Sequence, residues 1–135
     1  MFSVEESIDI ASAPEVVWSL VGDPAAICGW HPGIEASSMV HGVRHCTLMG
    51  GGEVAEEIVE HCDRQRYYVY AVVGGQFGMV DYRSRIQVLG IDGGGARMKW
   101  SGQFDAIEPA HGSLIAESVA TTYRDGLTAV RNRLA

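Results

Sequence analysis

Phe2, Val4, Ile8 and Ile10 alternate with Ser3, Glu5, Ser7 and Asp9, the period-two pattern of a strand with one buried face, so residues 2–10 are predicted to open the fold as a strand. Ser12-Ala13-Pro14-Glu15 then offers a serine N-cap, a proline in the first turn and a glutamate three positions after the cap, ahead of Val16, Val17 and Leu20. That predicts a short helix ending near Val21. Asp23-Pro24 repeats the cap-plus-proline signal for a second short helix, which Gly29 ends before Trp30-His31-Pro32.

From residue 34 the chain reads as short strands divided by turn signals: His41-Gly42, Gly50-Gly51-Gly52, Asp63-Arg64-Gln65, Gly74-Gly75 and Asp92-Gly93-Gly94-Gly95. An antiparallel meander is expected. Two strands fix their own faces. Tyr82, Ser84, Ile86 and Val88 alternate with Arg83, Arg85 and Gln87, and Met98, Trp100, Phe104 and Ala106 share a face opposite Arg97, Lys99, Gln103 and Asp105. The strand at 53–61 does not, because Val54, Glu56, Ile58 and Glu60 on one face and Glu53, Ala55, Glu57 and Val59 on the other both mix acids with apolar residues. From about His111 onward, Leu114, Val119, Tyr123, Leu127, Val130 and Leu134 recur at three to five residues, which predicts a long amphipathic helix lying on the sheet. Gly126 interrupts its middle at about 1 kcal/mol relative to alanine, which points to a close approach there or to room left for something else.

The order strand, two short helices, six strands and a long closing helix predicts a single α+β domain over residues 1–135, and Gly126 in the closing helix is one reason to expect a cavity for a small, mostly apolar ligand between sheet and helix. Composition narrows the function. A net charge of −7 opposes binding to phosphate backbones, so no nucleic-acid partner is expected, and no apolar run approaches the ~20 residues of a membrane helix. Cys28, Cys46 and Cys62 are an odd, irregularly spaced set, read as free thiols of a cytoplasmic protein. His41, His45 and Cys46 have nearly a metal-ligand spacing, but a Gly turn running into a strand does not converge them, so neither metal nor cofactor is expected.

Several segments, in order, resemble the START-related SRPBCC superfamily, in particular its polyketide cyclase/dehydrase group. They are Ala13-Pro14-Glu15-Val16-Val17-Trp18, Trp30-His31-Pro32, Gly42-Val43-Arg44, Glu57, Val80-Asp81-Tyr82-Arg83 and Lys99-Trp100-Ser101-Gly102-Gln103-Phe104-Asp105. The resemblance implies the helix-grip fold of the birch-pollen allergen: a curved seven-stranded antiparallel sheet around the C-terminal helix, with two short helices between strands 1 and 2. Within the superfamily the chain is similar to bacterial proteins accessory to methanol oxidation and, more distantly, to plant abscisic-acid receptors. Where those receptors carry gate and latch sequences, this chain has Met49-Gly50-Gly51-Gly52 and Phe77-Gly78-Met79, so hormone sensing is not implied. The receptors' pocket residues find counterparts in Arg44, Glu57, Tyr70, Tyr82 and Tyr123.

The predicted lining is Trp30, Arg44, Glu57, Tyr70, Tyr82, Trp100, Val119 and Tyr123, aromatic and aliphatic with a few polar groups, as small-ligand sites are. Glu57 admits two uses. A carboxyl group held out of water could exchange protons with an enolisable ketone, as a cyclase or dehydratase would require; otherwise it pairs with Arg44 or Arg83 and serves structure or anchoring. His31 is either a general base at the cavity mouth or part of a packed corner before Pro32. Tyr82 and Trp100 serve equally as cavity lining or core. Three functions remain open: binding of a hydrophobic or amphipathic molecule such as a lipid, a cyclase-like enzyme, and a partner-binding or homodimerising module.

Overall fold

The computed structural model describes residues 1–75 and 77–135. Its elements follow in the order β1 (Phe2–Ile10), α1 (Pro14–Val21), a 3₁₀ helix (Pro24–Gly29), β2 (Ile34–Val40), β3 (Val43–Leu48), β4 (Glu53–Cys62), β5 (Tyr67–Gly74), β6 (Met79–Gly90), β7 (Ala96–Ala106), a 3₁₀ turn (Pro109–His111) and α2 (Gly112–Leu134). The strands form one curved antiparallel sheet in the order β1-β7-β6-β5-β4-β3-β2, a meander with β1 added beside its last strand, and α2 closes over it in the helix-grip arrangement.

Local sequence explains most boundaries. Pro14 is the first helical residue of α1 and holds Ala13 extended, at φ −61° and ψ 151°, so Ala13 takes the cap position without a side-chain bond. Ser12, the expected cap, lies one residue too early. Asp23 does cap the next segment, accepting from the Ala25 N–H at 3.0 Å, but the six residues that follow wind as a 3₁₀ helix.

In β1 the apolar set alternates inward as expected, and in β6 and β7 Tyr82, Ser84, Ile86, Val88, Met98, Trp100 and Phe104 are all buried. On α2 the buried residues are Gly112, Val119, Tyr123, Gly126, Leu127 and Val130. Leu114 departs from the expected stripe and is 70% exposed, because five residues before Val119 is about 140° round the helix, while Gly112 and Ile115 of the same turn face inward. At the other end, Arg133 donates to the Gly29 carbonyl at 2.6 Å and ties the helix to the 3₁₀ segment. Among the described residues no helix is long and apolar enough to cross a membrane.

Candidate functional site

Sheet and helix do not interlock completely. Between them lies a cavity of about 440 Å³. Its mouth is formed by Met49 of the β3–β4 connection, Gly75 and Phe77 of the β5–β6 connection, and Ile115 and Ser118 of α2. Glu56, Tyr70, Tyr82, Trp100, Val119 and Tyr123 border it as buried residues. The two glycine-bearing connections thus meet at one end of the sheet.

A bulge helps build the lining. Val80 pairs with Asp105 and Arg83 with Gln103, so Asp81 and Tyr82 together oppose Phe104. Asp81 takes up the extra residue in the left-handed region at φ +54°. The inward phase therefore shifts by one, and Met79 and Tyr82 both point at the cavity although three positions separate them.

The hydroxyls behind this surface form a connected set. Ser84 Oγ donates to the Ser101 carbonyl at 2.9 Å and lies 2.9 Å from Tyr123 Oη, which in turn bonds Tyr82 Oη. Trp100 Nε1 donates to Ser84 Oγ at 3.0 Å and to Tyr70 Oη at 3.2 Å, while the Trp100 ring stacks on Tyr123 with centroids 4.6 Å apart. Burial pushes the Tyr123 phenol up to about 12 against the opposing pull of its Ser84 and Tyr82 hydrogen bonds, and burial together with like-charge coupling to neighbouring phenols holds Tyr70 and Tyr82 well above their ordinary values. All three remain protonated hydrogen-bonding groups.

The expectation for Glu57 is corrected here. Its side chain is exposed on the outer face of β4, and Glu56 takes the inner face. The register decides this: Arg44 pairs with Glu56 across β3 and β4, Val43 pairs with Glu57, and residues directly opposite share a face. Arg44 is wholly buried, so its partner is inward as well. Arg44 Nε donates to Glu56 Oε1 at 2.9 Å, and Arg44 Nη1 donates to the Pro24 carbonyl and to Tyr68 Oη, each at 3.0 Å. Its guanidinium also lies 4.8 Å from the centre of the Tyr70 ring. Burial opposes the charge on Arg44, but Tyr68 and Glu56 more than offset it and keep the group protonated. Cys46 rests against the same carboxylate at 3.7 Å, and burial, reinforced by Glu56, pushes its thiol up to about 12. Arg44 does not border the cavity; it stands behind Glu56 and Tyr70.

His31 borders the cavity but is packed and spoken for. Its Nε2 donates to the Thr122 carbonyl of α2 at 2.8 Å, and its Nδ1 accepts from the Gly33 N–H at 3.0 Å. Burial lowers its pKa against the opposing pull of the Thr122 bond, so the ring is neutral with both nitrogens engaged, which leaves no lone pair for a general base. Trp30 packs on Trp100 with centroids 5.8 Å apart and, like Arg44, backs the lining instead of forming it. Gly126 resolves as a close approach: a Cβ there would meet His31 Cδ2 at 2.6 Å and Trp100 Cζ3 at 2.8 Å.

Of the sequence-derived set, the structure brings Tyr70, Tyr82, Trp100, Val119 and Tyr123 to the cavity, leaves Trp30 and Arg44 behind it, and puts Glu57 outside. Glu56, Met79, Ile115 and Thr122 border the cavity without having been singled out. Only Ile115 carried a signal, lying four residues before Val119 on the helix's inward stripe.

The family described as polyketide cyclase / dehydrase and lipid transport matches over residues 1–135. Among solved structures, the chain is similar to the protein XoxI from Bacillus cereus at 29% identity, covering 99% of this chain and 96% of that one, with a TM-score of 0.94. A START superfamily protein from Mycobacterium smegmatis shares the fold at 13% identity and a TM-score of 0.82, over 98% of this chain and 96% of that one. The Zhui aromatase/cyclase from Streptomyces sp. R1128 does so at 13% identity and a TM-score of 0.80, over 98% and 93%. No curated protein sequence matches.

Proposed function

We propose, from the premise that this chain belongs to the polyketide cyclase / dehydrase and lipid transport family, that it binds a small hydrophobic or amphipathic molecule between the sheet and α2. The observation that carries the reading is the void itself. The cavity is open at its mouth, and what sets it apart from the surface grooves of similar volume is an inner wall of buried aromatic rings with a few polar atoms, at about 440 Å³ within the range of small-molecule sites. Tyr70, Tyr82, Trp100, Val119 and Tyr123, with Glu56 in place of Glu57, are the side chains we assign to the ligand, and Trp30 and Arg44 hold them from behind.

Binding without turnover is preferred over a cyclase or dehydratase activity. Glu57 faces solvent, and both His31 nitrogens are bonded to the backbone. Glu56, held through Oε1 by Arg44, is the one buried carboxylate among the described residues that border the cavity; a single acid without a positioned partner favours anchoring over catalysis. Met49 and Phe77 are more than half exposed, yet they border the opening, and we assign them to ligand access instead of to a second copy of the chain. Three unpaired cysteines suit a reducing compartment, and residence in the cytoplasm is part of the same proposal.

Titration with Nile red tests the reading. Saturable one-to-one binding with blue-shifted emission is expected for the native chain. Val119→Trp, which fills the cavity from α2, should lose it while keeping the native circular dichroism. Undiminished dye binding by that variant, or no saturable binding by the native chain, refutes the proposal.

A further inference from the structure

One carbonyl sets the direction of the buried hydroxyl chain. Ser84 Oγ spends its proton on the Ser101 carbonyl, so it accepts from Tyr123, and Tyr123, its own proton given away, accepts from Tyr82. Tyr82 therefore faces the cavity as an acceptor. Tyr70 is the opposite case: its oxygen receives the Trp100 N–H at 3.2 Å, and although the Ser84 and Tyr82 hydroxyls lie nearby, no hydrogen bond of ordinary geometry takes its proton among the described residues. Glu56 contributes a second acceptor. Its Oε1 holds Arg44 and Cys46, and its Oε2 has no hydrogen-bond partner among the described residues. No lysine or arginine is among the described residues that border the cavity, and its charged members are Glu56 and, on the exposed surface of α2, Asp125.

We propose that the cavity selects an uncharged ligand carrying an alcohol or phenol hydroxyl and discriminates against carboxylates of the same shape; this rests on the ligand-binding reading above. A hydroxyl group matches the inventory because it gives one proton, to Glu56 Oε2 or Tyr82 Oη, and accepts one, from Tyr70. A carboxylate places a second negative charge near Glu56 with no cation to receive it, since Arg44 does not border the cavity, its charge is paired with Glu56, and its one unpartnered nitrogen, Nη2, is enclosed within the protein. An ammonium adds a positive charge that the Arg44–Glu56 pair has no need of. A pure hydrocarbon leaves the Tyr70 proton and Glu56 Oε2 cut off from water with no partner.

The test compares 2-naphthol, 2-methylnaphthalene and 2-naphthoate, one ring system with three substituents, by ¹⁵N-resolved NMR titration of the full chain at pH 7. The expected order is 2-naphthol about tenfold tighter than 2-methylnaphthalene, the size of one good hydrogen bond, with 2-naphthoate weakest. Tyr70→Phe keeps the ring against Arg44 and should cost 2-naphthol severalfold in affinity while 2-methylnaphthalene, no longer stranding the Tyr70 proton, binds the variant at least as tightly as the native chain. Two-naphthoate binding as tightly as 2-naphthol, 2-methylnaphthalene equalling it, or Tyr70→Phe weakening both neutral probes alike overturns the selectivity and leaves cavity binding standing. Failure of all three to shift any cavity resonance overturns the binding reading and this inference with it.

Discussion

Gly126→Ala sets two well-understood effects against each other, and the structure decides between them. In an exposed helix the substitution stabilises by about 1 kcal/mol, because alanine has less backbone freedom to lose. At this position the new methyl carbon would lie 2.6 Å from His31 Cδ2 and 2.8 Å from Trp100 Cζ3, roughly 1 Å inside ordinary carbon contact. Neither neighbour retreats freely. His31 is held by hydrogen bonds from both nitrogens, and Trp100 is bonded through Nε1 and stacked on Tyr123. Overpacking of this kind costs about 1–3 kcal/mol, and each hydrogen bond stretched in making room adds up to about 1 kcal/mol. The net expectation is destabilisation by about 1–2 kcal/mol, read as a lower urea midpoint at unchanged slope. Trp100→Phe removes one of the two atoms struck and leaves His31 Cδ2, so the same Gly126→Ala step in that background should cost less but not vanish, and the double-mutant cycle measures the difference. A variant more stable than the native chain by about 1 kcal/mol would mean that helix and sheet are not in contact here, and the reasoning about the site would fail with it.

Two further outcomes follow from the buried ionisable groups. Glu56→Leu should cost about 3–5 kcal/mol by leaving the Arg44 charge unpaired, and Arg44→Met combined with Glu56→Leu should recover most of that loss; a single-variant cost below about 1 kcal/mol in urea unfolding would refute the pairing. Burial depresses the folded-state pKa of His31, so the unfolded chain binds the extra proton: its contribution is complete above the unfolded value near 6.5 and is lost as pH falls below it toward the folded value. His31→Gln should therefore flatten the fall in urea midpoint between pH 7 and 5, and identical pH profiles would refute the assignment.

Much of this architecture can be read from the residues, and the misreadings have physical causes. Alternation in β1, β6 and β7 is unambiguous because apolar and charged side chains strictly trade places, and the turn glycines mark the strand ends. In β4 both faces carry glutamate and valine, so composition holds no information about orientation; the cross-strand partner Arg44 supplies it, and pairing register is a tertiary fact. Met79 was hidden by the bulge at Asp81, which changes the alternation without any marker in residue type. Leu114 enters the helical stripe only at a five-residue spacing, which is about 140° out of phase with Val119; Ile115, four residues before Val119, is the member that faces inward. Trp30 and Arg44 are enclosed as expected, and only geometry separates a residue that touches the void from one that supports its wall.

Adjacent glutamates in β4 bear on how this fold tolerates insertions and deletions. A one-residue slip of β4 against β3 would exchange the inward set Val54, Glu56 and Ile58 for Ala55, Glu57 and Val59, again aliphatic, acidic, aliphatic. Shortening the Gly50-Gly51-Gly52 connection by one residue, with the turn kept, would bring Glu57 opposite Arg44 and leave the ion pair an alternative solution, whereas lengthening it would bring Ala55 there and strand the cation.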